Sequence, residues 1–300
     1  MRQEFAGWRF DSPVMIPGSR PIPDAPVDIR VHRRSLPEMT GGPVWRLSSS
    51  RQTDLVLPGF GVFRMLAGQE VIYDPAPEVA PEALGIVLGS SVLAVLLRQR
   101  GLLPLDGSAL AWGRGALLLV GPSGQGKSGL AAVLAKRGWP VLGDGVLAVE
   151  PARQRLTRHQ SQLRLWKDMA QSLGLDLSKA TPVRQAVPRL DLSWPQDGWS
   201  DGPDCPLSGI VLLHERQDQP QCRLLSPAQA AASLTQAVYG LAAFNPAGSG
   251  QVGPVAEIMM DVSRLAMAVP CWRLCPAEHI GKLEQTADVL TQALQSGEAP

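Results

Sequence analysis

Lysine is scarce in this 300-residue chain; it occurs only at Lys127, Lys136, Lys167, Lys179 and Lys282. Net charge is scarce too. Lys and Arg total 28 against 27 Asp and Glu, a formal balance of +1. That excludes an acidic tail, a highly charged disordered chain and a polyanion binder that works by net charge, so no nucleic-acid partner is expected. Long apolar runs are missing. The longest candidate, Leu84–Leu97, is interrupted by Gly89, Ser90 and Ser91, and it falls short of the roughly 20 residues a spanning helix needs. The first ten residues include Glu4 and no apolar stretch, unlike a secretory signal. The expectation is a cytoplasmic protein with no membrane partner. The four cysteines, Cys205, Cys222, Cys271 and Cys275, form no CxxC pair, and are read as reduced thiols rather than metal ligands or a disulfide scaffold. His32, His159, His214 and His279 are scattered, without ligand spacing.

What is present is enough apolar content, 45% of residues, for a sizeable core. Residues 1–80 are rich in Pro and Gly between short apolar stretches. In one of these, Val27, Ile29 and Val31 alternate with polar neighbours, the pattern of a half-buried strand. They read as a small β-rich N-terminal domain, and 81–300 as the main domain. A helix is expected over Glu82–Arg100, closed by Gly101. Ala116–Val120 is a short continuous apolar run, the mark of a buried strand. A helix over Gly129–Arg137 follows, and then strands at Val141-Leu142 and Val146–Val149, the latter pairing with Arg155–Thr157. Leu173–Leu177 and Thr181–Arg184 read as loops, and 194–206 as a surface loop. Further on, a strand is expected at Ile210–Leu213, a helix over Pro227–Tyr239 capped by Ser226, a strand at Trp272–Leu274 and a closing amphipathic helix over Ile280–Gln295.

Between the buried strand and its helix lies Gly121-Pro122-Ser123-Gly124-Gln125-Gly126-Lys127-Ser128, followed by Gly129. It matches the Walker A pattern of a P-loop, G-x-x-x-x-G-K-[ST], in the strand–loop–helix setting the mechanism requires. Backbone N–H groups freed by the glycines turn inward around phosphate, and the helix N-terminus adds partial positive charge. Lys127 is the expected partner of the β- and γ-phosphates of ATP, and the Ser128 hydroxyl a ligand of Mg²⁺. Asp144, in Gly143-Asp144-Gly145, has two readings: a carboxylate that binds Mg²⁺ or takes a proton, or the Asp of a tight turn.

Taken together, LLPLDGSALAW, GALLLVGPSGQGKSGLAAVLAKRGWPVLGDGVLAV, LRLW, PLSGIVLLHE, LLSPAQAAASLTQAVYG and VPCWRL resemble the HPr serine kinase/phosphorylase family. The likeness is greatest to its shorter branch of related kinases, which includes kinases found beside peptide-modifying enzymes. It covers about residues 90 to 295. It implies an α/β, P-loop kinase core of the HPr kinase type, behind the β-rich N-terminal unit. It also implies ATP-dependent transfer to a Ser, or sometimes Thr, hydroxyl of a peptide or protein, and a tendency to homo-oligomers. By the same resemblance Asp144 is the base, Lys127 the phosphate ligand and Ser128 the Mg²⁺ ligand. Asp106 stands where the family usually has His, and Gly145 where it usually has a second Asp. Asp106 is therefore a candidate to hold metal or share a proton with Asp144. The reverse, phosphorolytic activity is not expected. A non-catalytic nucleotide-binding regulator and a small-molecule kinase stay open as alternatives.

Other residues carry two readings. Arg164 faces phosphate, or is a solvated strand residue. Arg184 and Arg189 clamp an anionic group, or are ordinary surface charge. Trp194 and Trp199 face substrate, or cover an edge. Ser108 is a candidate hydrogen-bond partner of Asp106.

Overall fold

The computed structural model describes residues 1–37, 44–49, 51–158, 160–184, 187–194, 204–241 and 255–297. His159, Trp199 and most of the 194–206 loop lie outside the described residues.

The chain opens with eight strands: β1 (Arg2–Phe5), β2 (Trp8–Asp11), β3 (Arg20–Pro21), β4 (Ile29–Arg33), β5 (Val44–Ser49), β6 (Gln52–Leu57), β7 (Gly61–Leu66) and β8 (Glu70–Pro75). They form one sheet in the order β3-β1-β2-β4-β8-β7-β6-β5. Every second residue is buried on the central strands, as with Ile29 and Val31, Phe63 and Met65, and Val71 and Tyr73. This is the period of a sheet with one face on a core.

A single helix then runs from Pro81 to Gln99 as α1 (Pro81–Val87), a π-helical turn Leu88–Val92, and α2 (Leu93–Gln99). By length and composition it is apolar enough to cross a membrane, which corrects the expectation that no segment reaches that length. Leu88, Val92 and Leu93–Leu97 are buried in the same core as Phe5, Trp8, Phe10 and Phe63. The connection between β2 and β3 passes directly over this helix. A Cβ on Gly85 would run into the Met15 carbonyl oxygen, and one on Gly89 would lie 2.7 Å from Ile16 Cγ2. The core of the first 80 residues is thus continuous with that of the rest of the chain.

The remaining elements are β9 (Leu103–Trp112), β10 (Gly115–Val120), α3 (Lys127–Lys136), β11 (Val141–Glu150), β12 (Arg155–Thr157), β13 (Gln162–Trp166), α4 (Lys167–Ser172), β14 (Thr181–Arg184), β15 (Val187–Ser193), β16 (Asp204–Leu213), β17 (Gln221–Leu224), α5 (Pro227–Gln236), α6 (Val255–Ala268), β18 (Cys271–Cys275), and, after a 3₁₀ turn at Ile280–Lys282, α7 (Leu283–Ser296). Seven of these strands form a second sheet, β10-β9-β11-β12-β16-β18-β17, with β16 also pairing in parallel with β10. β13, β15 and β14 form a small third sheet. The architecture is mixed α/β with several sheets.

Strand β10 is buried along its whole length and its side chains alternate between two cores. Ala116, Leu118 and Val120 face the core shared with the N-terminal sheet, whereas Leu117 and Leu119 face α3 and α7. A central strand covered on both faces reads as a continuous apolar run for this reason. The Ser226 cap is present as a reciprocal capping box with Gln229. Three readings need correction. Residues 204–206, the end of the expected 194–206 loop, open strand β16 and pair with β12. Thr181–Arg184 is strand β14 rather than loop. Gly143-Asp144-Gly145 is not a tight turn but the middle of the ten-residue strand β11, which takes a register shift between Val141 and Gly143 against β9.

Candidate functional site

The site lies at the end of β10 where the chain turns into α3. Gly126 is the residue before the helix and has φ of 92°, a left-handed conformation that a side chain would strain. α3 is buried on nearly all sides, so packing fixes its N-terminus in place.

Two side chains at the start of α3 reach different carboxylates. Lys127 is buried, 8% exposed. Its Nζ donates to the carbonyl oxygens of Gly121 (2.7 Å) and Pro122 (3.0 Å) and to Asp106 Oδ2 (3.1 Å). Ser128 Oγ donates to Asp144 Oδ1 at 3.0 Å.

The antiparallel register of β9 and β11 brings both carboxylates here. Asp144 lies opposite Ser108, and Asp106 opposite Val146. Ser108 Oγ donates to Asp144 Oδ1 at 2.6 Å, and the Arg164 main-chain N–H donates to Oδ2 at 2.8 Å. Burial pushes the Asp144 carboxyl above the usual carboxylate range, and the hydrogen bonds from Ser108, Arg164 and Ser128 only partly oppose this. Ser108 is therefore the partner of Asp144, not of Asp106.

A cavity of about 330 Å³ opens over these groups. One wall is the glycine loop, with Ser123, Gly124, Gly126, Lys127, Ser128 and Gly129. β13, β15 and the start of α4 also line the cavity, through Trp166, Asp168 and Arg189. Gly121 and Pro122 take part through their carbonyls, and Gln125 does not line the cavity. Sequence reasoning thus placed Asp106, Lys127, Ser128 and Asp144 in what proves to be one cluster.

Arg164 is neither solvated nor free. Its guanidinium forms a two-point pair with Asp191 (2.6 and 3.0 Å), whose side chain is 1% exposed, and also donates to the Pro17 carbonyl at 3.1 Å. Arg189 lies with its guanidinium carbon 5.9 Å from the centre of the Trp166 ring. The side chain of Arg184 lies outside the described residues. Trp194 packs against the α3 core, which favours the edge-covering reading. The four cysteines are unpaired, and burial pushes the Cys222 and Cys271 thiols up to about 12, which leaves them little thiolate character.

Among the described residues no group of three His, Cys, Asp or Glu side chains is placed to hold a metal ion. The oxygen donors that do meet, the Ser128 hydroxyl and the Asp144 carboxylate, are hard ligands. Such a sparse set suits Mg²⁺, which keeps several waters and takes further ligands from phosphates.

No protein-family model matches the chain, and no curated protein matches it. Among solved structures, the chain is similar to the HPr(Ser) kinase/phosphatase from Coxiella burnetii, with 12% identity and a TM-score of 0.32, over 65% of this chain and 92% of that one. That is a distant likeness, and no residue role is carried over from it.

Proposed function

We propose that the chain is an ATP-dependent kinase that transfers the γ-phosphoryl group to a hydroxyl, a Ser or Thr of a peptide or protein, in the cytoplasm. The observation that carries this reading is the meeting of Ser128 and Asp144 at 3.0 Å beside a glycine loop that already holds the buried Lys127 ammonium. The strand–loop–helix sequence pattern supports it independently.

In this reading the loop N–H groups from Ser123 to Gly129 bind the phosphates, and Lys127 leaves its carbonyl partners to neutralise charge on them. Ser128 and Asp144 are the residues that would hold Mg²⁺, whose chemistry is to offset phosphate charge and orient the γ-group. Asp144 accepts the proton of the acceptor hydroxyl as that oxygen bonds to the γ-phosphorus. The bond from phosphorus to the β–γ bridging oxygen breaks, and ADP leaves with that electron pair. A carboxyl whose pKa is raised by burial is a better base than an ordinary one. Asp106 acts on the Lys127 ammonium and sets where it sits.

The test is incubation of γ-labelled Mg-ATP with a Ser/Thr peptide array, comparing the wild type with Lys127→Ala and Asp144→Asn. Label transfer by the wild type that falls about 100-fold or more in both variants is expected. Transfer by Asp144→Asn at the wild-type rate would remove its role as base.

A further inference from the structure

The charges around the cavity are not equally available to a ligand. Of the four cationic side chains on its walls, Lys127 is paired with Asp106 and Arg164 with Asp191. Arg189 and Arg216 have no carboxylate partner among the described residues. Arg189 lies over the Trp166 ring, and its Nε is buried without a hydrogen-bond partner. Arg216 alone of the two meets the glycine loop: its guanidinium donates to main-chain carbonyls, Glu278 at 3.2 Å and Gly124 at 3.3 Å.

Its position is specific. Arg216 lies just beyond β16, the strand that pairs in parallel with β10, so it emerges at the same end of the sheet as the glycine loop. Its Nη2 would lie 3.4 Å from a Cβ built on Gly126, which puts the guanidinium against the loop itself. The backbone behind it is pinned. The Gln217 N–H donates to the Pro276 carbonyl at 2.8 Å, and the Gln217 carbonyl accepts from the Glu278 N–H at 2.9 Å. A cation with no counter-ion, on a fixed backbone and against a loop of phosphate-binding type, is preorganised for an anion.

We propose that Arg216 is a polyphosphate-binding residue supplied in cis. It reaches the phosphates of the nucleotide from beside Gly124 and Gly126 and exchanges its bond to the Gly124 carbonyl for phosphate oxygens. This rests on the nucleotide reading of the loop. No covalent step is assigned to Arg216. Its ligand is the polyphosphate, not the base or ribose.

The experiment is equilibrium titration of the full chain with Mg-ATP, Mg-ADP and AMP, in the wild type, Arg216→Ala and Arg216→Lys, with thermal unfolding as a check on folding. The expected result is a loss of Mg-ATP affinity of about tenfold or more in Arg216→Ala, with AMP affinity changed less than about twofold and a partial recovery in Arg216→Lys. A purely structural role would weaken all three nucleotides alike, and that outcome overturns the proposal, as does unchanged Mg-ATP affinity. Should the wild type itself fail to bind Mg-ATP, the nucleotide reading of the whole site falls, a result distinct from a failure of Arg216 alone.

Discussion

Lys127 Nζ lies 3.1 Å from Asp106 Oδ2 while it also donates to the Gly121 and Pro122 carbonyls. The ammonium that should meet phosphate is thus held by three oxygens of the protein. A nucleotide must displace at least part of that set, and Asp106 adds negative charge close to incoming phosphate. Asp106→Asn keeps the shape and removes the charge. Mg-ATP affinity should rise several-fold, on the scale of one charge-assisted hydrogen bond and its repulsion, while turnover falls because Lys127 is no longer set. Calorimetry and a steady-state ATP assay read the two effects separately.

Asp144 makes the activity depend on pH in a definite direction. Its pKa is raised, chiefly by burial, and a base must be deprotonated to act. The rate should therefore fall as pH drops, with a midpoint that marks protonation of this carboxyl in the Mg-ATP complex. Raising Mg²⁺ should move that midpoint down, since a nearby cation favours the charged form. The stability effect has the matching sign. A carboxyl with a raised folded pKa favours folding when protonated, so ionising it opposes folding as pH rises from the unfolded value through the folded one. The difference in unfolding free energy between wild type and Asp144→Asn, followed across that window, should change in that sense.

How much of this was legible in the sequence depended on how local the cause was. The glycine loop, β10 and α3 are set by consecutive residues, and their pattern could be read directly. Asp106 and Asp144 both stand out in the sequence, but Ser108, which sits beside Asp106 in the chain, bonds to Asp144 instead. Its true partner follows from the β9–β11 register, which contains an irregularity that no periodicity reveals. The Arg164–Asp191 pair was missed because it depends on the pairing of β13 with β15, and a charged residue between two leucines gives no sign of a buried counter-ion. The Gly143-Asp144-Gly145 segment misled for a physical reason: glycine-flanked Asp is common in turns, and here the glycines serve a strand irregularity beside the site.

The Arg164–Asp191 pair carries a stability prediction. Arg164→Met leaves the Asp191 carboxylate, 1% exposed, without its partner. The cost should be about 3 kcal/mol or more, seen as a lower denaturant midpoint at unchanged slope. Arg164→Met combined with Asp191→Leu should regain much of that loss, because an apolar pair needs no charge compensation.

The contact between the N-terminal segment and the helix Pro81–Gln99 is testable at Gly85. Gly85→Val places methyl groups where the Met15 carbonyl oxygen sits. Overpacking of this kind costs about 1–3 kcal/mol. The variant should melt lower and be cut faster by protease near residues 13–17, with Mg-ATP affinity little changed.

The central claim is that this cluster binds ATP through the loop and removes its γ-phosphoryl group through Asp144. Single-turnover loss of the γ-phosphate from labelled Mg-ATP, measured with enzyme in excess and a hydroxyl acceptor present, tests it most directly. With Mg-ATP fully bound, Asp144→Asn should release the γ-phosphate about 100-fold more slowly than the wild type. Equal single-turnover rates in the two proteins would contradict it.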